Sequence, residues 1–148
     1  MDIAAYMSNG RVLVDRLASR ELVSAMEKRA RSIPSPVTGI IFRQGDKPES
    51  VYYLKTGEVT LTMEAGEKTI MSVTVPAGSL LGLPAVMGDK PYSLTATAVG
   101  RVEVFRISCE DFKQMIVQEG LCFDVVRILA GEVHSARLAL GESLNWQA

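Results

Sequence analysis

The segment IIFRQGDKPESVYYLKTGEVTL, residues 40–61, contains three short runs of β-branched and aromatic residues, and Gly45 and Gly57 separate them. Similar runs continue to residue 107, with further glycines at positions 66, 78, 88 and 100. The gaps between these glycines are 9–12 residues. Turn residues that recur at this spacing are typical of antiparallel sandwiches and barrels. The sequence therefore predicts a mainly β core, with a tight hairpin around Gly66.

Helical patterns flank this β core on both sides. Between residues 11 and 31, apolar residues recur at intervals of three and four, and Ser19 is a candidate N-cap. After residue 107, Ser108 is placed to cap a helix that Gly120 can end, and another helix follows. We expect a single domain with three parts: an N-terminal helical segment (1–36), a β-jelly roll (37–107) and a C-terminal helix pair (108–148).

The last helix carries an apolar stripe, the helix seam, with spacings that alternate between four and three residues. Its members are Cys122, Val126, Leu129, Val133, Ala136 and Leu140. Such spacing has two explanations, a helix packed on its own β core or a helix pair that joins two subunits. We predict a homodimer through this seam, and packing on the protein's own core is the alternative.

The composition excludes several classes of protein. The chain has 148 residues, 47% of them hydrophobic, and a net charge of −1, so it lacks the basic surplus typical of nucleic-acid or anionic-membrane binding. It also lacks an apolar run long enough to span a bilayer and a recognisable signal peptide. The two cysteines, Cys109 and Cys122, are not at a metal-ligand spacing. These features predict a cytoplasmic protein with no membrane or nucleic-acid partner.

The motifs of common enzymes are missing as well. A metal-dependent jelly-roll enzyme needs two or three histidines with a carboxylate, and His134 is the single histidine in the sequence. No nucleophile elbow, P-loop or HExxH motif is present. We therefore predict a non-enzymatic protein, with no catalytic and no metal-ligating residues.

Three segments, 40–61, 76–98 and 104–116, together resemble the cyclic-nucleotide-binding domain of regulators of the catabolite-activator and FNR type. The first has an aliphatic strand, the Gly45-Asp46 turn, an aromatic strand and Gly57 before the next strand. The likeness extends over about residues 11–140. It implies a double-stranded β-helix, or jelly-roll barrel, of about eight strands, with an N-terminal helix and a C-terminal helix pair.

The resemblance also implies that residues 82–95 are a phosphate-binding cassette. In this family, amide groups of a short helix and an arginine bind the phosphate, and a carboxylate binds the ribose. Gly82 falls on the family's glycine and Ser93 on its hydroxyl, but Leu83 stands at the carboxylate position and Tyr92 at the arginine position. The candidate ligand-binding residues are Gly82, Leu83, Pro84, Ala85, Tyr92, Ser93 and Leu94.

Both charged groups that recognise a cyclic nucleotide are thus replaced. The other nearby cations, Lys90, Arg101 and Arg106, are expected to face solvent. The resemblance then predicts a sensor or interaction module with weak or no cyclic-nucleotide affinity and no other cofactor. Its ligand would be a neutral or apolar molecule on Leu83, Val86 and Tyr92, or it would have none and act through a protein partner. The alternative is a cyclic-nucleotide-binding transcriptional regulator, or a fragment of one, that lacks its DNA-binding domain.

Overall fold

The computed structural model describes residues 17–35 and 39–131. These residues form four helices: α1 (Arg20–Arg29), α2 (Leu83–Gly88), α3 (Cys109–Glu119) and α4 (122–131). They also form six strands: β1 (Arg31–Ile33), β2 (Ile40–Phe42), β3 (Ser50–Ala65), β4 (Lys68–Pro76), β5 (Leu80–Leu81) and β6 (Thr95–Ser108). Every described strand pair is antiparallel, so the predicted mainly β fold with flanking helices is confirmed.

Local capping signals determine the ends of the helices and the hairpin. Ser19 Oγ accepts a hydrogen bond from the amide of Leu22 at the start of α1, and Ser108 Oγ caps α3 in the same way. Gly120 ends α3 in the left-handed region. The predicted hairpin is also confirmed, because β3 and β4 are joined at Gly66 with φ of 65°. The N-terminal segment was predicted to be helical over residues 1–36, but among its described residues only Arg20–Arg29 is helical and Arg31–Ile33 is a strand, because these residues pair with β6. The part of the prediction that falls on residues 1–16 lies outside the described residues.

Two long strands form the centre of the sheet. β3 pairs with β4, β5 and β6, and β6 also pairs with β1 and β2. Each of these strands contains two of the runs that the sequence separates by a glycine. At Gly57 the ladder shifts register but does not break, because the glycine adopts φ of 94° and has no β-carbon, which would lie 2.8 Å from the carbonyl oxygen of Arg101. The described residues therefore contain six strands, two of them long enough to join two predicted runs each, and this count is roughly consistent with the prediction of about eight.

Residues that alternate along the strands form two separate apolar clusters. The interior cluster fills the space enclosed by the strands, and its buried members are Phe42, Tyr52, Leu54, Val59, Leu61, Val75, Leu81, Ala85, Tyr92, Ala96, Val102 and Val104. The helical cluster packs the opposite face of the sheet against the helices. Its buried members are Leu22, Ala25, Met26, Val51, Tyr53, Leu80, Leu83, Val86, Ile107, Phe112, Met115, Ile116, Leu121, Val125 and Ile128.

Candidate functional site

The segment predicted as a phosphate cassette connects β5 to β6. Gly82 stands at the N-cap of α2 in the left-handed region, with φ of 82°, and Pro84 lies in the first turn. Pro84 suits this position because it has no amide hydrogen to leave unpaired there. Asp89 ends the helix with φ of 51°. The backbone shape expected from the resemblance, a glycine followed by a short helix and a loop, is therefore present.

The side chains of this segment point to different parts of the molecule. Leu83 and Val86 are fully buried in the helical cluster, whereas Ala85 and Tyr92 belong to the interior cluster. Leu94 packs partly against the interior cluster, and Pro84 and Ser93 are exposed. Leu83, Val86 and Tyr92 therefore do not form the single apolar ligand surface that the sequence suggested. Leu83 and Val86 are the first and fourth residues of α2, so both project from the same side of the helix into the helical cluster. Tyr92 lies beyond the helix and enters the interior cluster.

Tyr92 is the side chain of this segment that enters the barrel. Its hydroxyl donates a hydrogen bond to the carbonyl of Ser50 at 2.6 Å and accepts one from the Ser50 amide at 3.2 Å. Its ring stacks on Phe42, with 4.0 Å between the ring centroids, and only 4% of the residue is exposed. The ring can be buried because the Ser50 backbone satisfies its hydroxyl.

The backbone of Tyr92 is held as firmly as its side chain. Its amide donates to the carbonyl of Asp46 at 3.0 Å, and its carbonyl accepts from the amide of Gly45 at 2.8 Å. These two bonds join the end of the cassette to the turn between β2 and β3. The turn therefore determines where Tyr92 lies.

Burial keeps the Tyr92 hydroxyl neutral. Burial raises the pKa of Tyr92 to about 12, and the hydrogen bond to the Ser50 backbone offsets part of this rise. Burial also raises the pKa of the neighbouring Tyr52, and the positive charge of Arg106 opposes this rise. The position that the family gives to an arginine is thus occupied by an uncharged group at neutral pH.

Gly82 is required by the position of Tyr92. A β-carbon on residue 82 would lie 2.8 Å from Cε1 of Tyr92 and 3.3 Å from the Ser50 carbonyl oxygen. Real β-carbons essentially never approach another atom to 2.8 Å. In this chain the cassette glycine therefore makes room for the protein's own tyrosine ring.

A small cleft of about 270 Å³ opens beside Tyr92. Its lining residues are Ile41, Phe42, Asp46, Lys47, Glu49, Tyr52 and Tyr92. Two carboxylates and one ammonium group line it, so the charges of its own lining do not favour an anion. The three aromatic rings are nearly buried and offer the cleft little of their surface.

Ser50 and Arg106 adjoin this site, and the sequence did not identify them as a pair. Ser50 is fully buried, and its Oγ accepts a hydrogen bond from Nε of Arg106 at 2.9 Å. As predicted, the Arg106 side chain is exposed, as are Lys90 and Arg101. The signal for Ser50 is the alternation of Ser50, Tyr52 and Leu54 along β3, which places all three on the interior face.

The helix seam lies only partly within the described residues. Cys122 and Val126 are exposed, and Leu129 packs partly against the helical cluster. The buried residues of α4 and of Leu121 just before it belong to the helical cluster. They are Leu121, Val125 and Ile128. The stripe that packs on the protein's own core is thus shifted by one position from the seam. Val133, Ala136 and Leu140 lie outside the described residues, as does His134.

The described part of the chain lacks two further kinds of feature. Across residues 17–35 and 39–131, no group of three or more histidines, cysteines and carboxylates is placed to hold a metal ion. None of the helices in those ranges has the length and apolar character needed to cross a membrane.

Comparison with known proteins matches this chain to one family and one curated relative. A family model described as the cyclic nucleotide-binding domain matches residues 38–119. A cAMP-dependent protein kinase regulatory subunit from Emericella nidulans is 28% identical over 85 residues. That alignment covers 57% of this chain and 20% of the fungal subunit. The matched part is therefore a small portion of the relative.

Solved structures agree on the fold. The catabolite activator protein of Thermus thermophilus superposes with a TM-score of 0.68 at 24% identity, over 82% of this chain and 58% of that protein. A cyclic nucleotide-binding-like protein from Brucella abortus gives a TM-score of 0.54 at 25% identity, over 66% of this chain and 84% of that protein. The chain thus spans little more than half of the Thermus protein.

Proposed function

The chain belongs to the cyclic nucleotide-binding domain family, and from that premise we propose that it is a non-enzymatic regulatory module with weak or no affinity for cyclic nucleotides. One observation carries this proposal. The side chain at the family's arginine position is a buried tyrosine, bonded twice to the Ser50 backbone. The Tyr92 side chain thus occupies the space where the cassette meets the interior of the barrel.

The absence of each of the two charged groups weakens the binding of a cyclic nucleotide. A bound phosphodiester without its positively charged partner loses about 3–5 kcal/mol of binding free energy. An unpaired ribose hydroxyl loses about 1–3 kcal/mol more, and Leu83 not only lacks a carboxylate but lies in the helical cluster. Because each 1.4 kcal/mol is a factor of about ten, a micromolar site would become millimolar or weaker. Displacing Tyr92 would weaken binding further.

Titration with cyclic AMP and cyclic GMP tests this proposal. We expect no saturable heat or resonance shift below about 100 µM of either nucleotide, since the lost charge pair alone costs about two to three decades of affinity. A known cyclic AMP-binding protein, titrated in parallel, is the control for ligand quality. Saturation at lower concentration would contradict the proposal and would mean that Tyr92 leaves the barrel when nucleotide binds.

The same module is proposed to form a homodimer through α4. Phe123 and Val126 lie one helical turn apart and are 80% and 60% exposed, and Val117 at the end of α3 is 75% exposed. The buried stripe of Leu121, Val125 and Ile128 already packs on the protein's own core, so these exposed side chains are available to a second copy. Exposed apolar groups that adjoin one another are typical of protein interfaces.

We expect Val126→Asp to raise the dimer dissociation constant by about 100-fold, because the interface would bury an unpaired carboxylate. Sedimentation velocity over a wide range of protein concentrations measures this change. Val126 is already exposed, so the monomer should tolerate the substitution. Val99→Asp, at a valine on β6 that is 49% exposed, is the matched control and should leave the dimer intact. A monomer at the highest concentration, or a dimer insensitive to Val126→Asp, would disprove this interface.

A further inference from the structure

Three side chains form a row across neighbouring strands at one end of the barrel. Arg31 on β1 lies directly opposite Arg106 on β6, and Arg106 lies directly opposite Tyr52 on β3. Residues directly opposite on antiparallel strands point to the same face of the sheet. Tyr52 belongs to the interior cluster, so this row lies on the interior face. Because both arginines are exposed, it lies where that face opens to solvent.

Neither guanidinium group forms an ion pair with an acidic side chain of the described residues. Within residues 17–35 and 39–131, the ion pairs are Arg29 with Glu119 and Lys55 with Glu27, and neither includes Arg31 or Arg106. Like charges placed directly opposite on paired strands destabilise a sheet. The pair therefore carries a repulsion that a bound anion would relieve.

Arg106 is held in place by a buried group. Its Nε donates to Ser50 Oγ, and Ser50 is fully buried, so one donor of the guanidinium is fixed to the sheet. The two terminal nitrogens make no hydrogen bond to any described residue that would compete with a ligand. A guanidinium that is already oriented loses less conformational freedom when it binds an oxyanion.

The surroundings restrict what can bind. Asp46 and Glu49 line the adjoining cleft, and their negative charges exclude a large, highly charged anion. The nearby hydroxyl of Tyr52 is uncharged at neutral pH and is able to donate a hydrogen bond. Two arginines at opposed positions of paired strands are able to offer their forked donors to the oxygens of one compact anion.

We propose that Arg31 and Arg106 form a binding site for a compact oxyanion, either inorganic phosphate or a small phosphate monoester. This site uses the β1–β6–β3 row and not the cassette residues 82–95. It is independent of the proposal that the cassette binds cyclic nucleotides weakly or not at all. Because both arginines are exposed, the dissociation constant should be on the order of 1 mM.

The test is an NMR titration of the whole chain at low ionic strength. Inorganic phosphate and phenyl phosphate are added in separate series, and sodium chloride at equal ionic strength is the third. The Nε–Hε resonance of Arg106 and the amide of Tyr52 report binding. We expect saturable shifts with one or both phosphates and none with chloride. A stronger effect of phenyl phosphate would indicate that the organic group enters the cleft beside Tyr52.

Substitutions locate the site. Arg31→Gln and Arg106→Gln should each weaken binding at least about tenfold, whereas Arg101→Gln, at an exposed arginine on the same strand, should not. Ser50→Ala keeps the backbone groups that bind Tyr92 and should weaken binding about threefold by freeing Arg106. Equal affinities in the wild type, Arg31→Gln and Arg106→Gln would overturn the proposal. So would shifts that chloride reproduces.

Discussion

Tyr92→Ala is expected to lower the free energy of unfolding by about 3–5 kcal/mol, as truncation of other buried aromatic side chains does. The ring is 4% exposed and stacks on Phe42, and its hydroxyl satisfies both polar groups of the Ser50 backbone. Removing it leaves a cavity in the interior cluster and two unpaired groups. Urea unfolding, followed by circular dichroism, measures the change.

Two controls separate the ring from the hydroxyl. Tyr92→Phe keeps the stack on Phe42 and loses only the hydroxyl, so it should lose about 1–3 kcal/mol. Phenol should raise the melting temperature of Tyr92→Ala but not that of the wild type, because its ring fits the cavity and its hydroxyl can bind the Ser50 backbone groups that the substitution leaves unpaired. If Tyr92→Ala lowered the free energy of unfolding by less than about 1 kcal/mol, the ring would not be a core element. Tyr92 would then not be what fills the cassette of this chain.

Gly82→Ala is expected to lower the free energy of unfolding by about 2–5 kcal/mol. The left-handed backbone at residue 82 strains any side chain, and the new methyl group would lie 2.8 Å from the Tyr92 ring. Gly66→Ala is the matched control. Gly66 is also left-handed, with φ of 65°, but a β-carbon there meets no atom within 4 Å. Its loss should be limited to the backbone contribution of about 1–2 kcal/mol.

A double-mutant cycle tests whether the Tyr92 ring causes the extra destabilisation of Gly82→Ala relative to Gly66→Ala. In the Tyr92→Ala background, Gly82→Ala should lower the free energy of unfolding little more than Gly66→Ala does, because the ring atom that the new methyl group would clash with is absent. The two substitutions would therefore be strongly non-additive. Additive losses would show that the Tyr92 ring is not what excludes a side chain at position 82.

Much of the fold follows from short-range signals. Ser19, Ser108 and Gly120 act as caps because each needs only its own neighbours within a few residues to do so. The hairpin at Gly66 follows from one residue that tolerates positive φ. The short runs between glycines indicated the β core, although they could not show that the ladder continues past Gly57. Continuity depends on pairing with β6, which lies about forty residues away.

The candidate site was predicted in part. The sequence located the cassette and identified Leu83 and Tyr92 as the residues that replace its charges. It placed both on one ligand surface, and the structure separates them. A six-residue helix is too short for periodicity to show which face meets the barrel and which meets the helices. In the same way, apolar spacing alone did not distinguish the predicted helix seam from the stripe that α4 buries, which is shifted by one position.

The amino-acid sequence by itself determined the class of fold, the ends of the helices, and the absence of charged partners at positions 83 and 92. These properties depend on residue type and on neighbours close in the chain. Only the tertiary structure decided that Tyr92 enters the barrel to bind Ser50, and that Arg31 lies opposite Arg106. Both depend on strand register and on packing between residues 42 and 75 positions apart. Such contacts form only when distant segments bury apolar surface together, so local patterns do not reveal them.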